Sequence, residues 1–258
     1  MQHGLLTVLL TALGVGCATV IGALIGFIVK HPSHKFNDMI LSFAAGVMLA
    51  AAVVGLIMPS LESGGGKLLS VAVTAVGIFC GAFCLNMIDK LVPHLHKMTG
   101  IDLETHPDKG QQLSKVLLFV IAIAIHNLPE GIAAGVSAGS GNMAQAITVA
   151  GGIALQNIPE GMVIIAPMLA TGMSRGRTFL IALATGIVEV IGTLIGYFAV
   201  TLSAAILPFS LAFAGGTMLY VISDEMIPET HAHGNERGAT YTLLAGFAVM
   251  LAFDFLLG

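Results

Sequence analysis

The sequence predicts an all-α integral membrane protein that crosses the bilayer eight times. Of its 258 residues, 56% are hydrophobic and 9% are charged, whereas a water-soluble domain carries about 25% charged residues. Such a chain has too little polar surface to face water on all sides. Eight apolar segments reach the ~20 residues that a helix needs to cross a bilayer. These runs are continuous rather than alternating in twos, which argues against a transmembrane barrel. Glycine, at 32 residues, suits helices that pack closely on small side chains.

The segments lie near Leu5–Val29, Asn37–Pro59, Leu68–Leu91, Leu113–Ser137, Met143–Ala170, Thr178–Leu202, Ile206–Ile227 and Ala239–Leu257. Basic residues orient them, because cytoplasmic loops collect lysine and arginine. The loops after segments one, three, five and seven hold Lys30, Lys35, Lys90, Lys97, Lys109, Lys115, Arg175, Arg177 and Arg237; the opposite side has Lys67. The expected placement is a cell (inner) membrane, multi-pass, with both termini extracytoplasmic. The start of the chain lacks the basic region of a cleaved signal peptide, so the first segment is expected to stay in the mature protein.

The chain reads as one polytopic domain over residues 1–258. Its longest non-apolar stretch is a cytoplasmic loop over residues 92–112, with His94, His96, Asp102, Glu104, His106 and Asp108. These side chains either hold a metal weakly or form an ordinary solvated loop, and composition alone favours neither. Glu229-Thr-His231-Ala-His233 repeats the theme on a smaller scale. Cys17, Cys80 and Cys84 fall inside apolar runs and are expected to be inert packing residues.

Two stretches stand out, Ile123-Ala-Ile-His126-Asn127-Leu-Pro129-Glu130-Gly131 and Ile153-Ala-Leu-Gln156-Asn157-Ile-Pro159-Glu160-Gly161. The second copies the first, with Gln156 where His126 stands. Helix positions i and i+4 share a face, so His126 should point with Glu130 and Gln156 with Glu160, flanked by Asn127 and Asn157. Proline lacks the N–H that would bond the carbonyl four residues back. A kink is therefore expected at Pro129 and at Pro159, freeing the carbonyls of Ile125 and Leu155.

A charged side chain at the bilayer centre costs ~2.5–3.5 kcal/mol even on lenient scales. Glu130, Glu160 and Glu189 all lie deep within segments, and no lysine or arginine stands at matching depth. A cation must compensate, whether a metal ion, a proton or both. Imidazole with carboxylate and amide oxygens, without thiolate, suits a borderline divalent metal that must bind and leave again. Calcium or magnesium would have little use for His126. An intramembrane metalloprotease would carry His-Glu-x-x-His, which is absent. A metal sensor would need a partner domain, and a proton-coupled carrier of another solute would use the same groups as a relay.

These two motifs, their order, the buried Glu189 and the eight segments resemble the ZIP family of divalent-metal transporters, most closely its bacterial branch. The likeness extends over Phe43-Ala-Ala-Gly46-Val-Met48-Leu and Ile227-Pro-Glu-Thr-His231, so it covers essentially the whole chain. It implies an inverted repeat, segments one to three against six to eight, around a central pair, four and five. It implies import of zinc, with iron, manganese and cadmium as further substrates, through a binuclear centre. One ion would be held by His126, Glu130, Gln156 and Glu160 with the Met48 thioether nearby. The other would use Asn127, Glu130, Asn157, Glu160 and Glu189, so that Glu130 and Glu160 bridge. Glu62 would stand at the extracellular mouth or be a plain surface carboxylate. Asp89, Asp224 and Glu225, with His94, His96 and His231, would receive the released ion. Asp254, near the outer end of segment eight, is assigned a packing or interfacial role. Gln156 replaces the histidine of many relatives, and Asn157 the aspartate of some, which weakens the second position. The resemblance implies an elevator motion of segments one, four, five and six against the others. Zinc is expected as cargo, the bilayer as surroundings and a homodimer as one oligomeric state; no nucleic-acid partner is expected.

Overall fold

A computed structural model describes residues 2–29, 32–63, 66–91 and 109–257. Eight spans follow one another, all helical. Span one is α1 (Gln2–Val29). Span two is α2 (His34–Ala50), continued through π-helical turns at Ala51–Ile57 into α3 (Met58–Glu62). Span three is α4 (Lys67–Leu91) and span four α5 (Lys109–Gly139). Span five joins α6 (Met143–Val163) to α7 (Ile165–Ala170), and span six is α8 (Arg175–Leu202). Span seven runs from α9 (Leu207–Val221) through a second π-helical stretch, Ile222–Met226, into α10 (Ile227–Thr230); α11 (Glu236–Leu257) is span eight.

Several helices begin earlier than hydropathy alone predicts. α5 starts at Lys109 rather than Leu113, so residues 109–112 of the expected loop over 92–112 are helical. His94 and His96 lie outside the described residues. α8 starts at Arg175 because Ser174 caps it, its Oγ accepting from Arg177 N–H at 3.4 Å. α6 is capped in the same way by Asn142, whose Oδ1 accepts from Gln145 N–H at 3.2 Å. Side-chain acceptors at these positions satisfy first-turn amides that a helix cannot bond itself. Gly141, at φ +83°, makes the turn into that cap.

The bundle is apolar outside and carries a group of polar side chains within its otherwise apolar core. Phe79, Phe83, Leu180, Phe198 and Phe255 are exposed on its perimeter, whereas Asn127, Glu130, Gln156, Asn157 and Glu189 are buried. This distribution, in helices that satisfy their own backbone, is what a multi-pass membrane protein requires. Cys17 and Cys80 are exposed and Cys84 is half-buried, so the expectation of interior packing is corrected for the first two. Their runs are apolar because the outer surface is.

Four parallel helix pairs build the bundle, and glycines set their separation. A Cβ on Gly22 of α1 would lie 2.1 Å from Ile158 O of α6. A Cβ on Gly192 of α8 would lie 2.5 Å from Leu128 O of α5. The other pairs are α2 with α11, where a Cβ on Gly46 would meet Leu243 O at 1.9 Å, and α4 with α9, where one on Gly216 would meet Ile78 O at 2.2 Å. These pairs interchange under a pseudo-two-fold operation that exchanges α1 with α8, α5 with α6, span two with span seven and span three with span eight. Gly46-Val-Met48-Leu49 in α2 and Gly216-Thr-Met218-Leu219 in α9 are equivalent. Each precedes a π-helical stretch, in which Met58 N–H donates to Val53 O and Ile227 N–H to Ile222 O. Each stretch is followed by a proline, Pro59 or Pro228. The inverted repeat implied by the resemblance is thus present in the packing.

The N-terminal end of α2 is tied to the loop before α11. Asp38, buried on α2, stands 3.0 Å from His233 Nδ1 and accepts from Asn235 Nδ2 at 3.0 Å. The His34 ring lies against that of His233, with centroids 5.1 Å apart. Replacing Asp38 with alanine removes both contacts to a buried carboxylate, and about 1.5–3 kcal/mol of stability should be lost. A lowered unfolding midpoint of the detergent-solubilised protein would register it; an unchanged midpoint would show that the tie bears no stability.

Candidate metal-translocation site

The twin motifs sit on the central pair, α5 and α6. Both prolines lie inside their helices: α5 is helical on either side of Pro129 and α6 on either side of Pro159. Neither proline ends its helix. Span five breaks at Ile164 instead, between α6 and α7. Neighbouring helices and side chains supply partners that let a membrane helix continue past proline.

The local structure around each motif follows the pseudo-symmetry. Asn127 Nδ2 donates to Thr185 O of α8 at 3.2 Å, and Asn157 Nδ2 donates to Val15 O of α1 at 3.2 Å. One turn further on, a Cβ on Gly131 would lie 2.2 Å from Glu189 O, and one on Gly161 would lie 2.1 Å from Thr19 O. The glycine ending each Asn-x-Pro-Glu-Gly motif is therefore where the helix backbones touch. This close approach fixes the depth and rotation of Glu130 and Glu160, one residue earlier.

Between the two helices the polar side chains reach across. Gln156 Nε2 donates to Glu130 Oε1 at 2.7 Å. Asn157 Nδ2 also donates to Glu189 Oε1, and Thr19 Oγ1 donates to Glu189 Oε2 at 3.2 Å. Glu130 is 1% exposed, Gln156 and Glu189 are 0% exposed. Among the described residues ten buried side-chain oxygens lack a hydrogen-bond partner, and five of them belong to the twin motifs: Asn127 Oδ1, Glu130 Oε2, Gln156 Oε1, Asn157 Oδ1 and Glu160 Oε1. The other five are on Asn37, Ser42, Ser137, Thr148 and Thr178.

His126 has a partner that spacing along α5 does not reveal. Its Nε2 lies 2.6 Å from Glu225 Oε2, in the π-helical stretch of span seven, with the two side chains 16% and 20% exposed. Glu225, expected at a cytoplasmic release position, is thereby placed against the central histidine. Spacing along α5 predicts a shared face, but not which neighbouring helix presents a partner. Among the described residues, no three or more His, Cys, Asp or Glu side chains are gathered into a metal cage. The carboxylates instead pair with amides, a hydroxyl and the imidazole.

The other predicted residues fall around this centre. Met48 is buried on α2 in the apolar core that includes Val149 and Ile153. Glu62 ends α3 and lines a cavity of about 400 Å³ with Asn142, Gln145 and Asp254. Gln145 Nε2 donates at 3.0 Å to Gly55 O, the carbonyl four residues before Pro59. Asp89 lies on α4, and nothing is described of its side chain. Asp224 is half-buried beside Glu225. His231 lies at the end of α10, with Nδ1 donating to Ile227 O at 2.8 Å and Nε2 3.2 Å from Thr240 Oγ1. Both ring nitrogens are engaged within its own loop and the start of α11.

Sequence reasoning passed over Thr19, Thr185 and Gln145. Thr19 and Thr185 each stand alone in apolar runs, and their roles emerge only from the packing of α1 and α8 against the twin motifs.

A helical bundle with an apolar perimeter and carboxylates sealed at mid-depth is built as a membrane transporter. A model of the ZIP zinc transporter family matches residues 96–254. The chain is 40% identical over 257 residues to the zinc transporter GufA of Myxococcus xanthus, covering 97% of this chain and 98% of that protein. It is 38% identical over 246 residues to the zinc transporter ZIPB of Bordetella bronchiseptica, covering 93% and 78%. Against human zinc transporter ZIP11 it is 30% identical over 321 residues, covering 93% and 94%. The chain belongs to the ZIP family of zinc transporters.

Proposed function

We propose that this protein carries zinc into the cytoplasm, binding it between α5 and α6. The observation that supports this reading most is the set of five unpartnered buried oxygens on the twin motifs. Leaving a buried polar atom unsatisfied costs about 1–3 kcal/mol. No lysine or arginine occurs between Lys115 and Arg175 to compensate. A divalent cation compensates several such oxygens at once, and a mixed nitrogen and oxygen donor set holds a borderline metal without trapping it.

One ion is held by His126, Glu130, Gln156 and Glu160 with Met48 adjoining. A second lies between Asn127, Asn157 and Glu189, with Glu130 and Glu160 bridging. For the first position to fill, Gln156 releases Glu130 and His126 turns from Glu225. Glu225 then serves as the next acceptor towards the cytoplasm. The outer cavity with Glu62 and Asp254 is the approach from outside, and buried Val149, Ile153 and Met48 seal it from the centre. Alternating access requires that seal to open. The pairing of α1 with α6 and of α5 with α8 suits movement of those helices as one body. Against them stand α2 with α11 and α4 with α9, in the bilayer of the cell membrane.

The test is zinc uptake by the purified protein in proteoliposomes, with iron, manganese and cadmium as competitors. Saturable uptake, inhibited by ions of similar coordination preference, is expected. Zinc binding without any uptake would overturn the carrier reading and leave a sensor.

A further inference from the structure

The inverted repeat makes Thr19 of α1 the equivalent of Glu189 of α8. The register is fixed by four correspondences. Asn157 bonds Val15 O as Asn127 bonds Thr185 O. Gly161 abuts Thr19 O as Gly131 abuts Glu189 O. Gly22 abuts Ile158 O as Gly192 abuts Leu128 O, and Gly26 abuts Met162 O as Gly196 abuts Ile132 O. Positions 19 and 189 are therefore symmetry mates, but one carries a hydroxyl and the other a carboxylate.

The two mates touch. Thr19 Oγ1 donates to Glu189 Oε2 at 3.2 Å, while Asn157 Nδ2 donates to Oε1. Both oxygens of Glu189 are thus held, one from α1 and one from α6, although the side chain belongs to α8. Glu130 and Glu160 each retain an unpartnered buried oxygen. Thr19 is itself 1% exposed, so no water-facing role accounts for a hydroxyl in this apolar helix.

We propose that Thr19 is a positioning residue for the transported cation: its hydroxyl aims the Glu189 carboxylate towards Asn157 and the central site. A glutamate at position 19 would have placed a fourth buried carboxylate among Glu130, Glu160 and Glu189. A threonine supplies a donor in its place and makes the site asymmetric. Losing the hydroxyl frees Glu189 to adopt other rotamers, so part of the cation's binding is spent on re-ordering it. The effect should fall on apparent affinity rather than on turnover, because the helices that move are unchanged.

This inference rests on the zinc-carrier reading, and the experiment separates the two. Zinc uptake in proteoliposomes is measured for the wild type, Thr19→Val and Thr19→Ser over a range of zinc concentrations. Valine keeps the shape and removes the hydroxyl; serine keeps the hydroxyl and removes a methyl. The expected result is a KM raised about tenfold in Thr19→Val, equivalent to ~1.4 kcal/mol, with the maximal rate within about twofold. Thr19→Ser should restore a KM close to wild type. A packing role would give the opposite order, with serine the poorer variant because of the cavity it leaves. Equal KM values in all three proteins, or serine worse than valine, would overturn the positioning role while the carrier reading stands. Absence of uptake by the wild type would overturn both.

Discussion

Glu130→Gln should abolish saturable zinc uptake while leaving the bundle intact. The substitution is nearly isosteric, and the new amide oxygen can still accept from Gln156 Nε2, which now bonds Glu130 Oε1 at 2.7 Å. What disappears is one negative charge and the better of two metal-ligating oxygens. Glu130 is proposed to bridge both cation positions, so neither is spared. Removing an outer partner of a metal site already lowers affinity by about 10–100-fold, and loss of a bridging ligand should exceed that, reducing uptake efficiency by at least about a hundredfold. The measurement is initial zinc uptake in proteoliposomes beside thermal unfolding of the same preparation. Uptake retained within a few-fold, with a normal melting profile, would remove Glu130 from the transport pathway.

Gly161→Ala should be the most damaging single methyl addition near the site. Its Cβ would sit 2.1 Å from Thr19 O, backbone against backbone, with no flexible side chain able to yield. The α1–α6 pair must separate, which takes Asn157 Nδ2 away from Val15 O and shifts Glu160. Overpacking of a tight core costs typically 1–3 kcal/mol, and more where backbone is the obstacle. A lower unfolding midpoint together with lost uptake is expected. Gly14→Ala, on α1, the helix that Gly161 touches, with open space around its Cβ, is the control and should retain both. If Gly161→Ala behaved like Gly14→Ala, the close approach would not be what sets the depth of the motif.

These two effects explain why so much of the centre could be read from one dimension. The Asn-x-Pro-Glu-Gly repeat combines ligand and spacer in five residues: the glutamate that faces the centre and the glycine that lets the next helix touch. The spans were legible for a similarly simple reason, since a bilayer demands long apolar runs. Their starts were less so, because first turns such as Arg175–Arg177 are polar and are held by caps rather than by hydropathy. Chain chemistry reveals the N–H missing at each proline, but not that both helices run on through it.

The partners of His126 and Glu189 were hidden for a different reason. Periodicity on α5 says which side chains share a face; it does not say that the π-helical stretch of span seven turns Glu225 towards His126. Nor does it put Thr19 against Glu189, 170 residues away. The equivalence of Gly46-Val-Met48-Leu49 with Gly216-Thr-Met218-Leu219 was present in the sequence as a short repeat. Its meaning required the packing, in which each segment sits opposite its own partner helix. Asp254 was read as a packing or interfacial residue from its place near a segment end; the cavity it shares with Glu62 is a property of three dimensions.

The central claim is that the divalent cation binds among the unpartnered oxygens of α5 and α6. The most direct test is a crystal of the protein grown with zinc and measured at the zinc absorption edge. An anomalous peak between Glu130 and Glu160, at about the 2.0–2.2 Å that zinc keeps from carboxylate oxygen, is predicted. Strong peaks confined to surface histidines, with Gln156 still bonded to Glu130 and no density between the two helices, would contradict it.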